Sequence, residues 1–150
     1  MNIGLEFILN SLDDDTILGK ILSNDFLQAH PLFWRIDCLS LWYGEMQAGV
    51  FSSQRLSALL QTEIMLDTIR ICGFYSEEDA AAAPLLKTYD EYVHSQCVLV
   101  IRCVDSFYFN VYAKDAKTLE KMTSACRLLD CEKLRLVTEE NDSLTSILAY

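Results

Sequence analysis

The side chains of this 150-residue chain that could do chemistry fall into a few groups, each with a plainer structural use. Asp13-Asp14-Asp15 offers carboxylates to a hard cation. A calcium loop needs oxygen ligands at alternating positions around a glycine turn, and the run lacks both. It precedes Ile17, Leu18, Ile21 and Leu22, where acids suit an N-cap and a first helical turn. Asp105 beside Ser106 pairs a base with a nucleophile, yet both residue types favour turns through hydrogen bonds to the backbone. Glu139, Glu140 and Asp142 form a carboxylate cluster for a metal or a basic partner, and such a run also sits well in a solvated turn. Cys38, Cys72, Cys97, Cys103, Cys126 and Cys131 form no C-x-x-C pair, and His30 and His94 lie far apart. A metal site would have to be assembled by the fold. There is no G-x-G-x-x-G, P-loop, G-x-S-x-G or H-E-x-x-H. The sequence calls for no catalytic set, no metal and no cofactor.

Charge points instead to binding. The net charge is -10, and residues 1–80 hold 12 acids against 4 bases while residues 81–150 hold 10 against 8. Such a balance repels nucleic acid and anionic membrane and attracts a basic protein. The candidate partner-binding residues are Asp13, Asp14, Asp15, Glu77, Glu78 and Asp79, provided that the fold brings the two runs together. Spread apart, they serve only capping and solubility. Trp34, Trp42 and Tyr43 suit either a binding surface or the core.

The elements that must position these residues follow from periodicity. Ile3, Leu5 and Phe7 alternate with polar or small residues as in a half-buried strand. A helix is expected over 14–22, a loop from Asn24 to Pro31, and paired aromatic strands at 32–37 and 39–43. Ser52 or Ser53 should cap a helix carrying Leu56, Leu59 and Leu60, followed by a strand from Ile64 to Cys72 that Gly73 closes. Residues 76–84 read as a short exposed helix, and Thr88 with Glu91 as a capping box. Cys97 to Val104 is apolar on both faces, like a central strand, and forms a hairpin with 107–113. Leu119, Met122, Cys126 and Leu129 then mark a helix whose other face carries Lys114, Lys117 and Lys121. Residues 131–138 form a last long strand, and 147–150 a short terminal one.

The fold class expected is α+β: a mixed, mainly antiparallel sheet with helices packed on it, in a single domain over 1–150. Residues 14–72 and 88–138 both read helix, strand, strand, helix, strand, the order an internal α-β-β-α-β duplication would leave, with too few identities to assert one. The start lacks the basic region of a signal peptide and no window is long and apolar enough for a membrane span, so a cytoplasmic location with reduced, buried thiols is expected.

Several segments resemble an uncharacterised family of Bacillus-type Firmicutes, domain of unknown function 2691. They are Ile3-Gly4-Leu5-Glu6-Phe7, Lys87-Thr88-Tyr89-Asp90-Glu91-Tyr92, Asp105-Ser106-Phe107-Tyr108 with Tyr112-Ala113-Lys114-Asp115, and Thr138-Glu139-Glu140-Asn141-Asp142. The resemblance implies a bacterial cytoplasmic protein with one α+β domain and carries over no site residue. Three functions compete: an adaptor or toxin-inhibitor-like module for a basic partner, an enzyme or small-ligand protein with a fold-assembled site, and a structural protein whose lysine stripe meets the acidic half of another copy.

Overall fold

The alternation at the start of the chain becomes β1 (Asn2–Leu9), in which Ile3, Leu5 and Phe7 are buried. The computed structural model describes residues 1–11 and 15–149. After β1 come α1 (Ile17–Ile21), α2 (Asn24–Ala29), β2 (Phe33–Tyr43), β3 (Gly49–Ser52), α3 (Ser53–Leu60) and β4 (Met65–Phe74). Then follow α4 (Glu77–Ala82), α5 (Tyr89–Val93), β5 (Leu99–Val104), β6 (Tyr108–Ala113), α6 (Ala116–Arg127) and β7 (Cys131–Thr138). The strands form one sheet in the order β3-β2-β4-β5-β6-β1-β7, with every neighbouring pair antiparallel. Strand β5 takes the centre, and its Leu99, Val100 and Ile101 are fully buried, as its two apolar faces require.

The two faces are covered differently. On the first, Ile17 and Ile21 of α1, Phe26 of α2, Leu56 and Leu60 of α3 and Leu119, Met122 and Cys126 of α6 complete the main core. On the second, a smaller cluster gathers Ala80 of α4, Leu86, Tyr92 of α5 and Ile147 over Cys72, Val100 and Tyr112. The C-terminal segment crosses this face as irregular chain, so the short strand expected at 147–150 does not form over 147–149. Its backbone is held instead by arginine: Arg102 Nε donates to the Leu148 carbonyl at 2.8 Å. The Ile147 N–H donates to the Lys87 carbonyl at 2.9 Å.

Other expectations give way to local chemistry. Asn24–Ala29 is a helix, not a loop, because Ser23 accepts from the Phe26 N–H at 3.2 Å and caps it. Residues 32–43 do not fold back into paired strands; they run on as β2, bent at Cys38 (φ 53) where the register with β4 shifts. Gly73 does not close β4: it lies opposite Trp34, where a Cβ would press on the indole at 3.0 Å. Thr88 caps α5 as expected, but Glu91 reaches back to the Lys87 N–H at 2.6 Å, one residue earlier than a capping box requires. Lys114 is exposed like Lys117 and Lys121, and it also places Nζ 5.1 Å from the centre of the Tyr92 ring and donates to the Ser95 carbonyl. The two halves also pair differently: β4 joins β2, whereas β7 joins β1 and not β5, so the internal repeat finds no support in the topology.

The second face carries a row of polar residues that crosses six strands in register. Asp37 stands opposite Arg70, Arg70 opposite Arg102, Arg102 opposite Asn110, Asn110 opposite Glu6, and Glu6 opposite Arg135. Arg70, only 1% exposed, holds both Asp37 oxygens, through Nε at 2.7 Å and a terminal nitrogen at 2.8 Å. A bidentate carboxylate is what makes so buried a guanidinium tolerable.

Candidate functional site

Where β2 finishes and β4 begins, the sheet end exposes aromatic rings among carboxylates. Trp42 is 68% exposed, with its indole N–H donating to Ser106 Oγ at 3.1 Å. Ser106 sits at the tip of the β5–β6 hairpin, where it and Asp105 take left-handed backbone angles (φ 66 and 52). Its hydroxyl donates to the Leu66 carbonyl at 2.6 Å and its N–H to the Asp67 carbonyl at 2.9 Å. The serine is thereby spent as a clamp between the hairpin tip and β4, and the turn reading of Asp105-Ser106 is what the geometry shows. Tyr43, next along β2, is 45% exposed and donates its phenol to Asp15 Oδ2 at 2.8 Å. That hydrogen bond to Asp15 holds the phenol above its ordinary pKa, and the charge of Glu63 adds to it. Successive strand residues point to opposite faces, so the two rings wrap the end of the sheet. Asp67, whose Oδ2 accepts from Ser40 Oγ at 3.0 Å, and the exposed Asp105 adjoin the Ser106 that holds Trp42, the first through its carbonyl and the second along the chain; the charges of Asp15 and Glu63 bear on Tyr43.

Each ring is fixed by one hydrogen bond, so less side-chain freedom is lost on binding. Flat rings beside carboxylates suit lysine and arginine side chains, through ion pairs and cation–π contact. Among the described residues, no three His, Cys, Asp or Glu side chains come together to hold a metal ion.

Of the sequence-derived candidates, the described ones lie at two ends of the sheet. Asp13 and Asp14 lie outside the described residues, and Asp15 belongs to the end just described. Glu77, Glu78 and Asp79 form the first turn of α4, where Ser76 accepts from the Asp79 N–H at 3.1 Å. That helix follows Phe74, at the other end of the 10-residue strand β4. Asp15, whose carbonyl accepts from the Ile64 N–H just before β4, is at ~3.3 Å per residue roughly 30 Å from these three acids. Trp34 is fully buried, its indole N–H donating to Ser53 Oγ at 2.8 Å, and is core. Asp142 accepts from the Tyr112 phenol at 2.9 Å and anchors the C-terminal segment, while Glu139 and Glu140 are exposed.

A family described as "Protein of unknown function (DUF2691)" matches residues 2–148, nearly the whole chain. The chain belongs to this family. One relative is the uncharacterised protein YncE of Bacillus subtilis (strain 168), 34% identical over 62 residues. The match covers 41% of this chain and 40% of YncE. No solved structure matches. The family assigns no chemistry, so the surface of this member has to be judged on its own geometry. Reading residue types along the sequence misses Glu63 and Asp67, since neither belongs to a run; their signal is position, at the start of a strand that pairs with the aromatic end of another.

Proposed function

We propose that this DUF2691 member is a protein-binding module that takes a basic partner on the end of the sheet formed by Trp42, Tyr43, Asp15, Glu63, Asp67 and Asp105. The observation that carries the reading is the 68% exposure of Trp42, whose indole is held by Ser106, itself next to Asp105 in the chain and bonded to the Asp67 carbonyl. A large aromatic side chain held in solvent and rimmed by charge is the common anchor of an interface. The chain's net charge of -10 steers a cationic partner toward it and makes the encounter faster at low salt. An adaptor or an inhibitor of a basic toxin both fit this chemistry. No helix among the described residues is long and apolar enough to cross a membrane.

The test is affinity capture at low and high salt with three baits: wild type, Trp42→Ala, and a Glu77→Gln, Glu78→Gln, Asp79→Asn variant altered at the far end. The reading expects a basic protein to be retained by wild type and the far-end variant, lost with Trp42→Ala and weakened by salt. A set of retained proteins with no basic bias, or the same set on all three baits, overturns it.

A further inference from the structure

Within the polar row of the second face, Arg102 is the arginine that finds no carboxylate among the described residues. Its Nε donates to the Leu148 carbonyl at 2.8 Å, and one terminal nitrogen donates to Asn110 Oδ1 at 2.7 Å. Both acceptors are neutral, and they occupy two of the five N–H donors of a guanidinium. Among the described residues no carboxylate pairs with Arg102, whereas Arg70 holds Asp37 and Arg135 holds Glu6. Its neighbour across β4–β5 is another cation, Arg70. Burial pulls the guanidinium below its ordinary pKa, as expected of a charge without a counterion.

Arg102 opens on a groove of about 380 Å³ between the exposed sheet face and the C-terminal segment, lined also by Val104, Tyr108, Lys133 and Ser143. Lys133 stands there at φ 54, in the bulge where the β1–β7 register shifts between Glu6 and Ile8. A non-glycine residue in that backbone region is strained, and such strain recurs where a side chain has to be aimed. Glu6 also lines the groove, but its carboxylate is taken by Arg135. Tyr108 is 50% exposed and stands opposite Val104, giving the groove a flat apolar floor next to its cations.

We infer that this groove is a binding site for a small aromatic anion, with phosphate or carboxylate oxygens held by Arg102 and Lys133 and the ring laid on Tyr108 and Val104. A pocket of this size, part apolar with a few convergent polar groups, is of the kind that small ligands fill. The site is independent of the basic-partner surface at Trp42.

The experiment is titration of the full chain with phenyl phosphate, benzoate and inorganic phosphate, followed by calorimetry and by chemical shifts. One of the aryl anions is expected to bind saturably and more tightly than inorganic phosphate, and the better of the two identifies the head group. Arg102→Gln should weaken it about tenfold or more, as loss of a charge-assisted hydrogen bond does. Because Arg102 also holds the C-terminal segment, two exposed positions guard the result. Lys133→Asn removes the charge while suiting the left-handed backbone, and should weaken all three anions several-fold. Tyr108→Ala should weaken only the aryl anions, and Trp42→Ala none. Absence of saturable binding by any probe up to about 10 mM, where even very weak specific sites fill, overturns the inference. So does binding that neither Lys133→Asn nor Tyr108→Ala changes.

Discussion

Arg70 and Arg102 face each other across the β4–β5 ladder, and among the described residues only Arg70 has a carboxylate to hold. The difference decides what each can do. Arg70, beneath the C-terminal segment, is a structural ion, whereas among the described residues Arg102 meets only neutral acceptors.

Removing the counterion of Arg70 should therefore be costly. Asp37→Asn leaves a buried guanidinium with amide partners only, and breaking a buried pair from one side costs about 3–5 kcal/mol. Replacing Asp37 and Arg70 together by Leu and Met should be milder, since the uncompensated charge goes too. Urea unfolding of the two variants measures both, and a single variant no less stable than the double contradicts this account of the row.

Leu99 and Ile101 are fully buried on the central strand, so Leu99→Ala and Ile101→Ala should each destabilise by ~2–5 kcal/mol. Leu134 is half-buried on the edge strand β7, and Leu134→Ala should cost less than either. Equal losses at all three positions would contradict the strand order.

The thiols give an alkaline signature. Burial pushes Cys103 and Cys126 up to about 12, from an ordinary 9.0. Below the ordinary value both thiols are protonated, folded or unfolded. Between the two values the unfolded chain releases protons that the folded chain keeps, so stability falls as pH rises, by up to ~1.4 kcal/mol per pH unit for each thiol. Urea midpoints should drop between about pH 9 and pH 12, and more gently in Cys126→Ala. A flat profile, or the same slope in that variant, contradicts the assignment. At neutral pH a thiol reagent should label Cys38 and Cys131, which are half-buried, ahead of the four buried thiols.

Much of this fold is legible in local pattern. The alternation of Ile3, Leu5 and Phe7, the two-faced apolarity of 97–104 and the stripe of Leu119, Met122 and Cys126 each mark their element, because a core-facing period shows in the sequence itself. Where a single side chain decides the outcome, the pattern fails. Ser23 turns an apparent loop into α2, and the left-handed Cys38 lets one bent strand replace two. The candidate sites are less legible still. Glu6, Arg70, Arg102 and Asn110 are isolated polar residues on separate strands, and register alone lines them up. Each does carry a faint mark, a charge or amide set among apolar strand neighbours. Trp42 and Trp34 lie on the same strand and have the same side chain, yet Trp34 sits in the main core with its indole N–H on Ser53 of α3, while Trp42 stands in solvent near the strand's far end.

Trp42 is the proposed anchor for a basic partner. The chain has two tryptophans, one buried and one exposed, so its two indole N–H resonances report the core and the proposed surface separately. Titrating the ¹⁵N-labelled protein at low salt with a short Lys- and Arg-rich peptide should shift the Trp42 resonance saturably and leave Trp34 in place. The shift should weaken when Asp67 and Asp105 are changed to Asn. An unmoved Trp42 resonance, or backbone shifts gathered instead at Glu77–Asp79, would contradict the account.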